Sequence, residues 1–446
     1  MTPWKPNIDS AFRLSGNVHK PLQHHLCQIS QKRGQRSSRT SLAKAMIRDA
    51  FASAGIELGG GRPWDIRTHD ERFFRRVLTG GTLAFGESYM EGWWDCDALD
   101  EMCARAIRAR LEQRIALNFR NAFAILTSLL FNLQSRSRAR VVGERHYDVG
   151  NDFFECMLDP ALQYSCAWFR GTEDLAQAQQ EKMNLICRKL GLRQGMRLLD
   201  IGCGWGGLAK HAAERYGCSV VGITISEQQR SYAAEYCRGL PVEIRLQDYR
   251  NIAEPFDRIV SVGMLEHVGA KNYRRYMKMV HRSLDQGGVF LCQAIAGNWP
   301  TACTDPWIAR HIFPNSMLPS AAQVTGAAER LFVLEDIQNF GADYDKTLCA
   351  WERNFVRSWD RFRSRYGERF YRMWRFYLLS CAGAFRARYL QLFQFLFSKE
   401  RGYLPAQDPP VPRTPRQSLV PNTTSGTTST SRASCGVPQW SRRLRP

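Results

Sequence analysis

The stretch MRLLDIGCGWGGLAKHAAERYGCSVVGITIS, Met196 to Ser226, leaves a chain little choice of fold. An apolar run (Leu198, Leu199, Ile201) breaks at three glycines, Gly202, Gly204 and Gly206, and a helical pattern precedes a second apolar run. A short apolar run ahead of a glycine cluster reads as a strand buried on both faces, with LAKHAAERYG as its crossover helix. Further strand candidates, VEIRLQD, DRIVSVG and GGVFLCQAI, alternate with helical patterns after it. That alternation predicts a doubly wound α/β sheet. Ligands of such open sheets sit at the carboxyl ends of the strands, so the glycine turn is a ligand site. Its glycines let the chain turn sharply and let a ligand touch bare backbone.

Two ligands compete for the turn. Gly202, Gly204 and Gly207 fit the G-x-G-x-x-G spacing of a dinucleotide site. Against it stand Asp200, placed for a cation at the strand end, and Trp205, whose bulk inside the turn would crowd a pyrophosphate. LDIGCGWGG instead resembles the first motif of class I S-adenosylmethionine-dependent methyltransferases, whose cofactor carries a sulfonium and no phosphate. That resemblance implies a Rossmann-like sheet, with Leu198, Leu199, Asp200, Ile201, Gly202, Cys203, Gly204, Trp205 and Gly206 around the cofactor. After the second strand, Thr224, Ile225, Ser226 and Gln229 in ITISEQQ stand where the class contacts the ribose, although an acidic residue is more usual there. In LQDYRN, Asp248 is placed to bond the adenine amine, and Tyr249 either lies on the base or packs in the core.

A chain of 446 residues holds one large domain with additions, or two domains. The formal net charge of +20 points to a polyanionic partner, nucleic acid or an anionic membrane surface. No apolar run approaches the roughly 18 residues that span a bilayer. The N-terminus lacks the apolar core of a signal peptide. The 14 cysteines are scattered without a CxxC pair, which favours reduced thiols in a cytoplasm and gives no sign of zinc. Composition divides the chain into a basic segment expected to be disordered (1–40), a small, mainly helical N-terminal domain (41–115) and an amphipathic linker (116–145). A catalytic domain (146–400) and a basic tail of disorder-like composition (401–446) follow. One final strand, with helices, is expected from FVLEDIQNFGADYDKTLCAWERNFV onward.

Several longer stretches carry a closer resemblance: HYDVGNDFFECMLDPALQYSCAWF, GMLEHVGAKNYRRYM, DPWIARHIFPNSMLPS, NFGADYDKTLCAWERNF and CAGAFRARYLQLFQFLFS. In this order they resemble the cyclopropane-fatty-acyl-phospholipid synthases, relatives of the mycolic acid cyclopropane synthases, from about Ser41 to Ser398. The resemblance implies methyl transfer from S-adenosylmethionine to the cis double bond of an unsaturated phospholipid acyl chain, then proton removal to close a ring. An alkene is a weak nucleophile and must be held in line, and its carbocation needs a dry pocket with negative or π-electron density. The base implied is a bound bicarbonate. Carried over residue by residue, Cys166 contacts the anion through its backbone amide, Glu266 orients it, the Tyr344 hydroxyl lies near it and Ile295 gives a backbone contact. Tyr164 and Ser165 touch the cofactor, and Cys381 is an active-site position by analogy, although methyl transfer to an alkene needs no thiol nucleophile. One departure stands out: Gln293 occupies the place of the family's histidine, and an amide can donate to an anion but cannot exchange a proton. Gln293 therefore keeps open acyl-chain methylation without ring closure, or weak activity. His267 reads as structural, and His146 as either packing or ligand gating.

The implied partner is a phospholipid bilayer with anionic lipids, reached from the cytoplasm at the inner membrane surface. NAFAILTSLLFNLQSRSRARVVG sets Phe123, Ile125, Leu126, Leu130 and Phe131 beside Arg136, Arg138 and Arg140, which fits interfacial insertion or interdomain packing. Trp93 and Trp94 face lipid or belong to a core. A homodimer is implied by the resemblance. A nucleic-acid methyltransferase would require an aromatic-flanked polar motif for a flipped base, and the chain has none. A lipid-binding relative without activity is the remaining rival.

Overall fold

The central strands are those announced by the apolar runs, and they stack in the order that places the glycine turn at a switch point. A computed structural model describes residues 35–112, 149–301 and 303–399. The N-terminal part contains α1 (Gln35–Ala52), β1 (Arg67–Thr68), α2 (Arg72–Met90), β2 (Trp94–Asp95) and α3 (Leu99–Arg108). Then come α4 (Asn151–Met157), α5 (Leu175–Lys189), β3 (Arg197–Ile201), α6 (Gly207–Tyr216), β4 (Ser219–Thr224), α7 (Glu227–Tyr236), β5 (Val242–Leu246) and β6 (Phe256–Val262). The remainder is α8 (Tyr273–Ser283), β7 (Leu284–Gly297), α9 (Pro306–His311), α10 (Ala321–Ala328), β8 (Val333–Asn339), α11 (Gly341–Ser358), α12 (Arg363–Arg386) and β9 (Leu390–Ser398).

Strands β3 to β9 form one sheet in the order β5-β4-β3-β6-β7-β9-β8. Strands β3 to β7 pair in parallel, while β9 runs antiparallel to both β7 and β8. The order reverses between β3 and β6, so the crevice for a ligand opens at the end of β3. The single final strand expected from the sequence is two. LQLFQFLFS is a strand, β9, inserted between β7 and β8, and its apolar side chains are buried because both of its edges are paired. A second correction concerns the N-terminus: α1 begins at Gln35, inside the segment expected to lack order.

One face of the sheet packs Phe256, Phe290, Phe395 and Phe397 with Tyr276 and Val280 of α8. The other packs Leu198, Val220 and Leu291 against α5 and α6. The N-terminal part is continuous with the rest: Phe376 of α12 enters its aromatic cluster, 5.5 Å from Tyr89 and 6.3 Å from Trp94. Trp94 is fully buried, stacks 4.3 Å from Phe85 and donates its indole N–H to Ser88 Oγ at 3.0 Å. Trp93 lies between the guanidinium groups of Arg72 and Arg76, each 4.6 Å from its ring. Gly383 of α12 meets α3 closely, since a Cβ there would lie 2.5 Å from the Asp100 carbonyl oxygen. Replacing Gly383 with alanine therefore forces the two helices apart. We expect about 2 kcal/mol of lost stability, read as a lower melting temperature in one cooperative transition shared by the N-terminal part.

No helix among the described residues is long and apolar enough to cross a membrane. The described cysteines are all free, and no group of three metal-ligating side chains occurs among the described residues. The apolar linker with Arg136, Arg138 and Arg140, His146 and the tail beyond Lys399 lie outside the described residues.

Candidate active site

The glycine turn takes the shape its sequence requires. Gly202, Gly204 and Gly206 all have positive φ (83°, 56° and 86°), and Gly206 leads directly into α6. A Cβ at Gly204 would meet nothing within 4 Å, so a ligand can reach the main chain there. Leu198, Leu199 and Ile201 are buried in the sheet, and Cys203 is buried beside the turn. Trp205 does not fill the turn: it is buried against Phe154 at 4.8 Å, and its indole N–H donates to Asn151 Oδ1 at 3.0 Å. Its bulk clamps the loop to α4, so crowding by Trp205 is no argument against a pyrophosphate.

Beyond β4, Thr224 donates its hydroxyl to Gln229 Oε1 at 2.9 Å, and Ser226 caps α7 by accepting from the Gln229 N–H. Ile225 is exposed between them. Asp248 accepts from the Arg250 N–H and pairs with its guanidinium at 2.9 Å. Tyr249 packs edge-on to Tyr276 at 5.1 Å within the core, the packing alternative of its two sequence readings.

A second group of side chains gathers around Glu266, which sits in a short 3-10 turn (Leu265–His267) after β6. Its Oε1 accepts the Ile295 N–H at 2.7 Å, while Oε2 is buried without a partner. Burial pushes its carboxyl up to about 7, with the Ile295 bond opposing. Tyr344 on α11 lies near Cys166: its N–H donates to the Phe340 carbonyl at 3.1 Å, and the Cys166 thiol meets the same carbonyl at 3.8 Å. Burial holds the Tyr344 and Tyr377 phenols well above their ordinary values, so both remain O–H donors. The aromatic wall is dense. Tyr344 lies 4.7 Å from Phe385 and 6.1 Å from Trp351, and Tyr164 lies 5.1 Å from Trp351. Glu266 and Tyr344 are only 5% and 8% exposed, so both side chains are shielded from bulk solvent. A carboxylate facing π-rich walls in a dry space can stabilise a transient carbocation.

Cys166 is buried, with its thiol against the Ala167 and Phe340 carbonyls at 3.1 and 3.8 Å. Burial pushes the Cys381 thiol up to about 12, which keeps it an un-ionised wall residue. Gln293 pairs across the sheet with Gln394, accepting its Nε2–H at 2.9 Å, and its own NH2 is the donor it can offer. His267 packs against Phe313 at 6.0 Å, and burial pulls its imidazole down to about 4, as a structural residue requires. Two partners escaped the sequence reading. Tyr377 of α12 hydrogen-bonds the Tyr164 hydroxyl at 3.0 Å across 213 positions, and no local signal foretells it. Lys182 is buried on α5, and its place at i+4 from buried Ala178 was a visible signal.

The model of the mycolic acid cyclopropane synthetase family matches residues 134–395. The cyclopropane-fatty-acyl-phospholipid synthase of Escherichia coli K12 is 51% identical over 351 residues, covering 79% of this chain and 92% of the relative. A probable fatty acid methyltransferase of Pseudomonas putida is 36% identical over 267 residues, 57% of this chain and 68% of the relative. The mycolic acid cyclopropane synthase CmaA1, solved with S-adenosylhomocysteine and CTAB, superposes with a TM-score of 0.55 at 34% identity. It covers 58% of this chain and 98% of its own.

Proposed function

The chain belongs to the mycolic acid cyclopropane synthetase family, and from that membership we propose that it adds a methylene from S-adenosylmethionine across the cis double bond of unsaturated phospholipid acyl chains. The observation that carries this reading is a buried glutamate, Glu266, one of whose oxygens has no hydrogen-bond partner. The bare backbone at Gly204 fits the cofactor, which when bound supplies an electrophilic methyl group. Leu198 to Gly206, Thr224 to Ser226, Gln229, Asp248, Tyr164 and Ser165 would hold it.

The chain's own residues do the rest. Tyr344, Trp351 and Tyr164 exclude water and present π faces to the acyl chain, and Glu266 lowers the energy of positive charge developing there. The open Oε2 of Glu266 fits the hydroxyl of a bicarbonate, with Tyr344 and the Gln293 amide as donors to the same anion. These residues would orient the proton acceptor. The second reading, methylation without ring closure, is favoured by one observation: Gln293 stands where the family has a histidine, and among the described residues the nearby His267 is engaged with Phe313.

We further propose peripheral association with an anionic membrane on the cytoplasmic side. Helix α8 exposes Arg275, Lys278 and Arg282 along one stripe and contains no acidic residue, and each such cation contributes about 1 kcal/mol at an anionic surface. The exposed Val333, Leu334 and Ile337 on edge strand β8 support a homodimer. The test of function is expression in a bacterium lacking such activity, followed by fatty-acid methyl ester analysis. Monounsaturated chains are expected to be replaced in part by species one methylene heavier. An unchanged profile from well-expressed protein would reject the proposal.

A further inference from the structure

Trp299 is 53% exposed, and among the described residues it is the one tryptophan that belongs to the surface. It stands two residues beyond the end of β7 and four beyond Ile295, whose N–H bonds Glu266. Its ring meets Tyr389 edge-on at 5.8 Å. Tyr389 comes just before β9, and Leu390 pairs with Gly297, so both aromatic residues lie at the carboxyl edge of the parallel strands. Glu266, which follows β6, lies at that same edge.

A single exposed apolar side chain is ordinary on a protein surface. Three observations set this one apart. Its loop is pinned: Asn298 donates through Nδ2 to the carbonyls of Arg388 (2.8 Å) and Tyr389 (3.3 Å) and accepts from Gln391 Nε2 at 3.3 Å. Gly297 also donates its N–H to the Pro319 carbonyl at 2.9 Å, so the indole is presented by a fixed turn. Next, its neighbours suit a lipid interface. Tyrosine and tryptophan rings settle at headgroup level, and the exposed Arg388 can pair with phosphate. Finally, the chain passes this corner on its way to the amphipathic linker. Arg108, at the end of α3, donates to the Arg386 carbonyl at 3.0 Å, and NAFAILTSLLFNLQSRSRAR begins at position 121.

We propose that Trp299 and Tyr389 form a lip that seats in the interface of a phospholipid bilayer, with Arg388 at the level of the phosphates. This contact sets the bilayer against the sheet edge that holds Glu266. The proposal rests on the bilayer-substrate reading and adds the place of contact. A protein partner is the alternative occupant that the test rejects or reveals.

The test compares the full chain with Trp299→Gln and Trp299→Phe on vesicles of dioleoylphosphatidylglycerol. In sedimentation, Trp299→Gln is expected to bind about tenfold more weakly and Trp299→Phe within about threefold, since phenylalanine keeps an apolar ring. Vesicles brominated in the upper acyl chain should quench part of the wild-type tryptophan fluorescence, and Trp299→Phe should lose that part. With S-adenosylmethionine, the KM of Trp299→Gln for vesicles should rise about tenfold at unchanged kcat. Its turnover of a short-chain unsaturated phospholipid dispersed as monomers should match the wild type. A loss equal on vesicles and monomers overturns the proposal and makes Trp299 a support of Ile295 and Glu266. Equal vesicle affinity in all three proteins, or quenching that survives in Trp299→Phe, also overturns it and leaves the lip to a protein partner. If the wild type itself does not bind the vesicles, the membrane reading fails and this proposal falls with it.

Discussion

Replacing Glu266 with glutamine is expected to lower turnover by about a thousandfold while leaving S-adenosylhomocysteine binding within about threefold of the wild type. Glutamine preserves the shape and can still accept the Ile295 N–H that now ends on Oε1. It removes the side-chain negative charge that lowers the energy of a cation developing there. The wild-type rate should rise with pH through about 7, the value to which burial lifts this carboxyl, and the variant's residual rate should lose that dependence. The same substitution should act on stability with the opposite sign. A carboxyl whose value is raised in the fold stabilises the fold at low pH and loses that contribution as pH rises through about 7. Relative to the wild type, Glu266→Gln should be nearly unchanged near about pH 4 and more stable by about 3 kcal/mol near about pH 8. Denaturant titrations at the two pH values check this. A variant that is both inactive and less stable at the higher pH would show that the charge is not the point.

The second large effect concerns Gly207, the first residue of α6. A Cβ there would lie 2.0 Å from the Ala161 carbonyl oxygen and 2.5 Å from Gln163 Nε2. Gly207→Ala must push away the segment that carries Tyr164, Ser165 and Cys166, and a displacement of about 1 Å at such a wall costs about a hundredfold. We expect about that loss in S-adenosylhomocysteine affinity, measured by calorimetry, with the helical circular dichroism retained. Gly204→Ala is the informative comparison. Nothing lies within 4 Å of its Cβ, and the left-handed φ of 56° costs the protein only about 1 kcal/mol. Lost cofactor binding there would come from the ligand's own approach to the backbone.

What the sequence made legible was local or came with the resemblance. The turn from β3 into α6 is written in neighbouring residues, because positive φ at three alternate positions calls for glycine and the flanking runs have strand and helix periods. The Glu266–Ile295 bond spans 29 positions, and only the resemblance put those two residues in one site. Strand β9 was not assigned because its apolar run follows α12 almost directly, and its partners β7 and β8 lie far back in the chain. Tyr377 was invisible because it meets Tyr164 only through the packing of α12. Trp205 has a related cause: a large side chain in a loop reads as facing the ligand, yet its indole bonds Asn151 on a helix some fifty positions earlier. Lys182 is a lysine on the buried face of α5, and its meaning depends on Gln163 and Ser165 from the preceding segment.

The central claim is that this site, with Gln293 in place of an imidazole, still closes the cyclopropane ring after the methyl is transferred. The most direct measurement is proton NMR of the acyl chains formed by purified protein from unsaturated phospholipid vesicles and S-adenosylmethionine. Ring closure predicts the upfield resonances of a cyclopropane. A branched methyl or methylene signal in their place would contradict it and assign the protein to acyl-chain methylation.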